Sequence, residues 1–490
     1  MLRRRNRGNG IAPAQLAIQM EKDDSVPKHD PVLDVLAYAP KWLEFQRTYM
    51  PYIGAQVAVR RDGELLFNQA FGYADLHART PLTVDHLFRI ASHSKTFTAV
   101  ACMQLAEQGK LRLDDTAETY VEELKGAPMG GVTIRALLGH LSGMTRDGDD
   151  CGFWSLEFPF PDRQELLTEI QNHGKVLEPL EHFKYSNIGY SLLGLIIEGA
   201  SGTSYRDYVT ESIVDALGLK NTGPDLDFDR LDANHYAKGY TSRIHGPEQI
   251  EIEHIDTYAE SAATGFYSTA AELTDYFQAH RDGDDRILTD GSKRQMRQVQ
   301  CQVTDDGAYG LGLIISKIGG RTYYGHSGGY PGHITVSHLD LERQLSISVL
   351  TNEGNGPAST LATGILNLIS LAADDKHKAK TEPRPAEELK RFEGRYAVLW
   401  GLTDIVNLGG RLYLLSPSAA DPSVMATEVE VVSDTELKVV GDEGWGGYGE
   451  VMRYTFSADG QVEKIRGGSG MTMVPVEKFV LPKKLKRPTR

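Results

Sequence analysis

The sequence predicts an α+β protein in which a domain of mixed helix and sheet layers precedes a smaller, all-strand domain. Strand-like runs lie near both ends of residues 31–372 and helical periodicity fills the middle, so the two ends of this region should meet in one sheet. Residues 373–388 are polar and contain prolines, which is typical of a linker. Residues 389–490 hold short alternating runs between glycine, aspartate, asparagine and serine, a pattern that favours an antiparallel sandwich or barrel.

Composition places the chain among folded globular proteins. Its 490 residues are enough for two or three domains. A hydrophobic share of 40% and a charged share of 24% exclude a disordered, collagen-like or coiled-coil chain. The net charge of −15 has the wrong sign for a protein that neutralises phosphates, so no nucleic acid partner is expected.

The number of cysteines and the length of the apolar runs indicate the cellular compartment in which the protein is expected. Cys102, Cys151 and Cys301 are too few and too far apart to predict a disulfide framework or a zinc cluster, so a reducing environment is expected. Residues 1–30 are predicted to be a flexible, arginine-rich leader, because no continuous apolar stretch follows the arginines as it would in a secretory signal. No apolar run approaches the ~20 residues that span a bilayer, so we expect a cytoplasmic protein without a membrane partner.

The elements of residues 31–372 follow from their periodicity. Apolar residues at helical spacing predict a helix over about 33–45, and two β-rich runs around the turn Arg61–Glu64 predict a hairpin. From Ser92 to Leu111 the apolar residues share one face, so this helix should be buried. The hairpin strands are 54–59 and 65–73, the further helices are 134–141, 188–197 and 361–371, and the further strands are 309–315, 321–324, 333–339 and 345–351. The strands predicted for the second domain are 392–400, 405–408, 411–415, 428–432, 436–440, 453–457, 462–466 and 471–479.

The most informative motif is Ser92-His93-Ser94-Lys95, at the start of the predicted buried helix. Positions three apart share one helix face, so Ser92 and Lys95 can touch. A serine hydroxyl becomes a nucleophile when an adjacent base takes its proton, and a lysine can be that base if burial or neighbouring cations lower its pKa. The alternative is that Ser92 caps the helix and Lys95 is solvated.

A second motif, Tyr185-Ser186-Asn187, precedes the predicted helix that begins near Ile188. A tyrosine hydroxyl near a lysine ammonium can have its pKa lowered and then relay protons to a leaving group. The alternative is a tyrosine packed at a helix start, with Asn187 as a cap.

A third motif, residues 325–332, places His326, Ser327, Gly328 and Gly329 between two predicted strands. Its glycines would let a substrate lie against an edge strand and exchange backbone hydrogen bonds with it. The alternative is a glycine-rich hairpin loop.

In this order the three motifs resemble those of the serine β-lactamase and penicillin-binding-protein superfamily. More narrowly, they are similar to its class C and peptidase S12 branch, where the second motif is Tyr-x-Asn and the third is often His-x-Gly. The flanking segments Phe88–Ala91, Gly139–Met144 and Ala263–Ala270 resemble that branch as well. The resemblance covers about residues 45–370 and implies a β-lactamase-like domain with an antiparallel sheet beside an all-helical region.

The resemblance implies a role for each motif residue. Ser92 would be the acylated nucleophile of a serine hydrolase, Lys95 its general base and Tyr185 the proton relay. Asn187 would donate a hydrogen bond to substrate, and the N–H groups of Ser92 and Gly329 would form the oxyanion hole. The remaining third-motif positions, also substrate-binding, are His326, Ser327 and Gly328. The reaction would be acyl transfer from a small molecule or short peptide to water, and it requires neither a metal nor an organic cofactor.

His326 stands where penicillin-binding proteins and class C β-lactamases usually carry a lysine. A histidine near its ordinary pKa of ~6.5 is mostly neutral at pH 7, so it attracts a substrate carboxylate less than a lysine does. Ester or amide hydrolysis of the D-aminopeptidase or esterase type is therefore predicted over β-lactamase or D,D-carboxypeptidase activity. A non-hydrolytic ligand-binding or scaffolding relative is a further alternative, disfavoured because all three motifs carry competent side chains.

Two other clusters allow further interpretations. The acidic run at 147–150 is a solvated loop or, alternatively, a rim of the cleft that favours a substrate amine. His326, His333 and His338 lie close in sequence to Asp340 and suggest a metal site. Histidines at these spacings on strands would not converge, so no metal is predicted.

The second domain resembles the lipocalin-like barrels appended to many relatives of this branch, because Phe392–Tyr396 matches their opening strand. Residues 389–490 are therefore predicted to form a small antiparallel β-barrel. The loop Trp445–Gly449 is the candidate for contact with the catalytic cleft. A packing or oligomerisation module without its own ligand is the preferred interpretation, and homo-oligomerisation is left open.

Overall fold

The computed structural model of the protein describes residues 29–226, 235–373, 379–441, 447–467 and 471–481. Outside these ranges lie residues 1–28 of the predicted leader, residues 374–378 of the predicted linker, and Trp445 and Gly446 of the loop proposed to contact the cleft. Within the described ranges, no helix combines the length and the apolar character needed to cross a bilayer.

In the first domain, strands near both of its ends enclose a mainly helical middle, and one helix lies before the first strand and one after the last. The described part of the second domain consists mainly of strands that follow one short α-helix. The α-helices are α1 Pro31–Tyr49, α2 Ser94–Glu107, α3 Ile134–Leu138, α4 Arg163–His173, α5 Asn187–Ser201, α6 Tyr205–Val209, α7 Ala270–Gln278, α8 Asp290–Met296, α9 Ala358–Ala372 and α10 Ala386–Leu389. The strands of the first domain are β1 Gly54–Arg61, β2 Glu64–Asp75, β3 Thr80–Pro81, β4 Phe88–Arg89, β5 Gly239–Tyr240, β6 Glu251–Ile252, β7 Tyr267–Ser268, β8 Cys301–Thr304, β9 Gly307–Tyr309, β10 Ile314–Ile318, β11 Arg321–Tyr330, β12 His333–Asp340 and β13 Leu345–Thr351. The strands of the second domain are β14 Gly394–Val398, β15 Gly401–Leu408, β16 Arg411–Leu415, β17 Thr427–Ser433, β18 Glu436–Val439, β19 Val451–Phe456, β20 Val462–Arg466 and β21 Thr472–Pro475.

A nine-stranded antiparallel sheet organises the first domain, in the order β3-β2-β1-β13-β12-β11-β10-β9-β8. β1, from the start of the domain, pairs with β13, from its end, and places Ala55 opposite Thr351. α1 and α9 cover one face of this sheet, α7 covers the other, and α2, α3 and α5 pack together in an adjoining helical region. The prediction that the two ends of the domain meet in one sheet is confirmed, as is the α+β class.

The predicted buried helix becomes α2, which begins at Ser94 after a short 3-10 turn over Ala91–His93. Every residue from Ser94 to Leu105 is buried, because α2 runs through the centre of the helical region with neighbours on all sides. The nucleophile candidate Ser92 therefore lies in the tight turn before the helix and not in its first turn.

β11 is longer than the predicted strand 321–324. It continues through the third motif to Tyr330, because Gly325 allows β12 to approach closely: a Cβ there would lie 2.0 Å from the carbonyl oxygen of Ser337. The interpretation of the whole motif as a hairpin loop is wrong, because within it Pro331 and Gly332 alone form the turn between β11 and β12. β10 pairs with β11 only as far as Gly325, so among the described strands β12 alone pairs with the rest of β11.

β14 to β21 close into an eight-stranded antiparallel barrel, which confirms the fold predicted for the second domain. Alternate residues of β15 point to opposite sides: Ile405 joins the apolar interior of the barrel, whereas Val406 and Leu408 join a cluster with α1 and α9. The barrel is thus packed on the helices that cover the sheet. Because one apolar cluster spans both domains, the boundaries at 372 and 389 stay predictions.

A buried ionic contact also joins the barrel to α1. Arg395 donates two hydrogen bonds of 2.7 Å, from Nε and a terminal nitrogen, to the two carboxylate oxygens of Asp404. Tyr38, on α1, donates a third bond of 2.7 Å to the same carboxylate. Asp404 has no exposed side-chain surface, so its charge is balanced by these partners and not by water.

Replacing Asp404 by alanine should destabilise the protein by about 3 kcal/mol, because the substitution leaves a largely buried guanidinium and a buried hydroxyl without their acceptor. Thermal or urea unfolding of the full chain measures the change. Asp434→Ala is the matched control, since Asp434 is 95% exposed and 3.6 Å from Arg391, and it should change the stability by less than about 0.5 kcal/mol. Equal stability of the two variants would contradict the expected role of Asp404.

Candidate active site

The turn that carries Ser92 is held in an uncommon backbone conformation. Ala91 has φ of +48°, in the left-handed region that residues with a Cβ rarely adopt. Ser94 fixes this turn, because its hydroxyl donates to the Ala91 carbonyl at 2.5 Å and accepts from the Phe266 backbone N–H at 3.0 Å. The constraint directs the Ser92 side chain into a cleft at the end of α2.

Lys95 lies one turn further along and points back toward Ser92. Its Nζ donates to Ser92 Oγ at 3.1 Å, to Asn187 Oδ1 at 2.7 Å and to the carbonyl oxygen of Ala263 at 2.8 Å. The side chain has no solvent exposure. The alternative in which Lys95 is solvated is therefore wrong, and the predicted contact between the hydroxyl and the amine is present.

Burial lowers the pKa of Lys95 from 10.5 to about 7. Loss of hydration is the main cause, because a buried ammonium loses the water that stabilises its charge. Two nearby carboxyl groups, those of Glu260 and Asp147, oppose the shift, while Arg146 adds to it. A large share of Lys95 is thus neutral at neutral pH, as a proton acceptor must be.

Glu260 is a second buried ionisable group near Lys95. It has no solvent exposure, and neither carboxyl oxygen has a hydrogen-bond partner in the described part of the chain. Burial and the neighbouring Asp147 raise its pKa to about 8, so Glu260 is largely protonated at neutral pH. The sequence contained no signal for this residue, which lies at the end of a short 3-10 helix over Tyr258–Glu260.

Tyr185 lies close to both Ser92 and Lys95. Its ring centre is 4.9 Å from Lys95 Nζ and 4.2 Å from the ring of His140. Loss of hydration raises the pKa of Tyr185, and a hydrogen bond with Ser92 offsets only part of that rise. The predicted lowering of its pKa by lysine is wrong, because Lys95 is itself partly neutral and burial outweighs its charge.

Asn187 begins α5 and connects two sides of the cleft. Its Oδ1 accepts from Lys95, and its Nδ2 donates to Asp147 Oδ1 at 2.5 Å. The residue before it, Ser186, caps the helix by accepting from the Gly189 N–H at 2.8 Å. The predicted cap at Asn187 is therefore wrong by one residue, and one N–H of the Asn187 amide already has a protein acceptor.

The third motif forms the far wall of the cleft. Ser327 and Gly329 lie on one side of β11 and are exposed there, as the alternation of a strand requires. Gly328 faces the other way and contacts the nucleophile turn, where a Cβ would lie 2.2 Å from the carbonyl oxygen of Ile90. Of the predicted substrate-binding residues, Gly328 is thus the one that the structure places behind the cleft.

His326 lies at the edge of the cleft and is almost fully buried. Its ring nitrogens hydrogen-bond with the Ser327 carbonyl at 2.6 Å and with the Tyr309 hydroxyl at 3.1 Å. Loss of hydration, together with the neighbouring His93 and Lys95, holds the pKa of His326 well below 6.5. The third motif therefore offers a neutral ring where a lysine would offer a cation.

The cleft encloses about 510 Å³ and brings together six of the predicted residues with four that the motifs did not include. The latter are Arg146, Asp147, Trp154 and Ile314. Asp147 belongs to the acidic run at 147–150, whose alternative interpretation was a rim of the cleft; of that run, Asp147 is the residue that lines the cleft. It accepts from Trp154 Nε1 at 3.0 Å and from Arg146 Nε at 3.1 Å, and its side chain is 11% exposed.

The histidines considered for a metal site have other contacts. His333 Nε2 hydrogen-bonds the Tyr236 hydroxyl at 2.9 Å, and Asp340 is held by Arg321 at 2.9 Å. Among the described residues, no three histidine, cysteine, aspartate or glutamate side chains converge as metal ligands.

Comparison with known proteins identifies a matching family model and several relatives of this sequence. The family model described as Beta-lactamase matches residues 45–369. Penicillin-binding protein 4* of Bacillus subtilis (strain 168) is 32% identical over 314 residues, which cover 61% of this chain and 67% of that protein. The D-aminopeptidase of Brucella anthropi is 28% identical over 343 residues, which cover 67% of this chain and 61% of that protein.

Solved structures extend the similarity to most of the chain. The octameric penicillin-binding protein homologue from Pyrococcus abyssi is 25% identical, with a TM-score of 0.61, and the match covers 88% of this chain and 98% of the homologue. The D-amino acid amidase from Ochrobactrum anthropi SV3, in complex with D-phenylalanine, is 25% identical, with a TM-score of 0.60, and the match covers 69% of this chain and 99% of the amidase. Oligomerisation of this chain stays a prediction.

The family model covers well over half of the chain, and the matched segment includes the sheet, the helical region and all three motifs. The resemblance predicted from the motifs is therefore confirmed: the chain belongs to the beta-lactamase family of serine hydrolases.

Proposed function

We propose that the protein hydrolyses amide or ester bonds through an acyl-enzyme formed at Ser92, with Lys95 and Tyr185 as its acid and base groups. The observation that carries this proposal is the 3.1 Å contact between Lys95 Nζ and Ser92 Oγ inside an open cleft. A hydroxyl within hydrogen-bond range of a desolvated amine has the geometry of an activated nucleophile.

In the acylation step, Ser92 Oγ attacks the substrate carbonyl carbon while its proton passes to neutral Lys95. The carbonyl oxygen becomes an oxyanion, which we assign to the backbone N–H groups of Ser92 and Gly329. The proton then moves from Lys95 to Tyr185 as Tyr185 gives its own to the leaving nitrogen or oxygen, and the bond to the leaving group breaks. Because its raised pKa keeps Tyr185 protonated, it acts as a relay with a proton always in place.

In the deacylation step, water replaces the leaving group and the proton path runs in reverse. Water gives a proton to the Tyr185 and Lys95 pair and attacks the acyl carbon, and the pair returns a proton to Ser92 Oγ as the ester bond breaks. The step ends with a free acid and the original hydroxyl, so no external reactant besides water is consumed.

Charge in the cleft favours a substrate with a free amine. Asp147 presents a carboxylate that lines the same cavity as Ser92, and His326 supplies no cation that would attract a substrate carboxylate. The similarity to a D-aminopeptidase and a D-amino acid amidase agrees with this distribution of charge. We therefore place D-aminoacyl amides and esters first among the substrates.

A D,D-carboxypeptidase activity is the second candidate, because Arg146 also lines the cleft. Its side chain is 63% exposed and its guanidinium lies 5.2 Å from the ring centre of Tyr185, within reach of a substrate carboxylate. The similarity to penicillin-binding protein 4* agrees with this candidate. Asp147 neutralises part of the Arg146 charge at 3.1 Å, which is why the amine-binding candidate comes first.

Ser92→Ala should lower kcat/KM by at least about 10³-fold, since it removes the nucleophile while the hydrogen bonds around the turn remain. Hydrolysis of p-nitrophenyl esters and D-amino-acid p-nitroanilides gives the rates, and mass spectrometry of protein labelled with a fluorophosphonate locates the modified residue. Ser201→Ala is the control, because Ser201 lies at the exposed end of α5 away from the cleft. Labelling at another residue, or full activity of Ser92→Ala, would refute the acyl-enzyme proposal.

The pH profile should report the titration of Lys95. Below a pKa of about 7 the amine is protonated and cannot accept the Ser92 proton, so kcat/KM should rise about tenfold per pH unit and level off above that pKa. Lys95→Arg should be inactive at every pH, because a guanidinium stays protonated. An acyl-transfer rate that is constant from about pH 5 to about pH 9 would contradict a lysine base.

Asp147→Asn should remove the preference for a free amine. Comparing D-alanine p-nitroanilide with its N-acetyl form, we expect the wild type to prefer the free amine by about tenfold or more and the variant to lose most of that preference. Asp149→Asn is the matched control, from the same loop but outside the cleft lining.

The carboxypeptidase candidate makes the opposite prediction. If peptides with a blocked amine and a free D-alanine carboxylate are the better substrates, and Arg146→Gln removes that preference, Arg146 and not Asp147 selects the substrate.

A further inference from the structure

A second cavity of about 620 Å³ lies beside the catalytic cleft. Asp147 lines both, so the two spaces share a wall at this residue. Trp154 completes that wall: its indole faces the cleft, and its ring lies 4.9 Å from the ring of Phe160, which faces the second cavity. A group bound in the second cavity would therefore lie next to a molecule bound at Ser92.

One side of the second cavity is apolar. Phe153 and Phe160 are buried with their ring centres 4.6 Å apart, and Phe158 lies 6.1 Å from Phe153 at the mouth. Pro159, Pro161, Ile188 and Tyr258 complete this side. Burial of an aromatic or aliphatic ligand group against such a surface is favourable, and the faces of its aromatic rings also attract cations.

The other side is acidic. Five carboxylates line it, and none of the described lining residues is a lysine, arginine or histidine. They are Asp147, Asp150, Asp162, Glu165 and Glu169. An apolar surface bordered by negative charges is complementary to an apolar ligand that carries a positive charge. The same surface disfavours an anionic ligand.

Neighbouring groups neutralise only part of this charge. Glu169 hydrogen-bonds His173 at 3.1 Å, and Asp147 is paired with Arg146. Asp162 and Glu165 cap the start of α4, where the helix dipole offsets about half a charge. Asp150 accepts one backbone N–H, from Gly152 at 3.0 Å, and its charge remains.

We propose that this cavity is a second binding site, specific for an aryl or alkyl group that carries a guanidinium or ammonium, and that it holds such a group of the substrate while Ser92 acts on the neighbouring bond. The substrate part of this inference rests on the proposed hydrolase function. The binding part does not, because the cavity contains none of Ser92, Lys95 and Tyr185.

Phenethylguanidinium and phenethylurea provide the test, since they share a shape and differ in charge. Both are titrated calorimetrically into the full chain carrying Ser92→Ala, so that binding is measured without turnover and independently of any hydrolase activity. We expect the guanidinium to bind about tenfold more tightly or better, with an advantage that falls as salt is raised.

The variant Asp150→Asn/Glu165→Gln, in the same background, locates the site. Asparagine and glutamine keep an oxygen for the turn and for the helix cap but remove the charge, so the guanidinium advantage should fall to less than about threefold while the urea affinity stays the same. Glu64→Gln/Glu387→Gln is the control, since it removes two exposed charges elsewhere and should leave the advantage intact.

Two outcomes would overturn the proposal: equal affinity for the two probes, or an advantage that Asp150→Asn/Glu165→Gln leaves unchanged. If the double variant fails to fold, as judged by circular dichroism, each single substitution is titrated in its place and should remove part of the advantage. Binding as expected without hydrolysis of any ester or anilide by the wild type would support the site and refute the proposed function.

Discussion

Withdrawal of the Lys95 amine from water is the constraint on which the arrangement of the site depends. A fall in its pKa from 10.5 to about 7 means that the site as a whole disfavours the charged form by about 5 kcal/mol, with burial as the largest cause. A buried amine also needs partners, and Ser92, Asn187 and Ala263 supply them from three separate segments. The same three contacts that satisfy the amine therefore bring the nucleophile, the start of α5 and the segment before β7 to one point.

The surrounding elements hold the nucleophile turn in place beside Lys95. The antiparallel sheet brings β11 against the nucleophile turn, where Gly328 leaves room for the backbone at Ile90. Ala91 takes a strained conformation that persists because Ser94 and β7 hold the turn on both sides. Strain of this kind at a reactive side chain agrees with a pre-organised site, since the energy is offset by packing elsewhere in the helical region.

Much of this arrangement could be predicted from the sequence, because it depends on local patterns. The i, i+3 spacing of Ser92 and Lys95, the buried face of α2 and the return of the chain to one sheet follow from periodicity. What was missed depends on contacts between distant segments. Trp154 and Glu260 carry no motif, Asp147 was considered only as part of an acidic run, and the raised pKa of Tyr185 results from a burial that spacing does not reveal. The extent of β11 was underestimated because glycine is depleted in strands, although Gly325 is required there by the close approach of β12.

Among the described strands, none pairs with one side of β11 beyond Gly325, and this affects how the cleft could recognise a peptide. An extended chain laid along this side of β11 would form backbone hydrogen bonds that are the same for every residue type, which is recognition by β-augmentation. Successive side chains of such a guest point in opposite directions. Only every second side chain of such a peptide would contact the cleft, and the others would face solvent. The preference for particular residues along a bound peptide should therefore have a period of two.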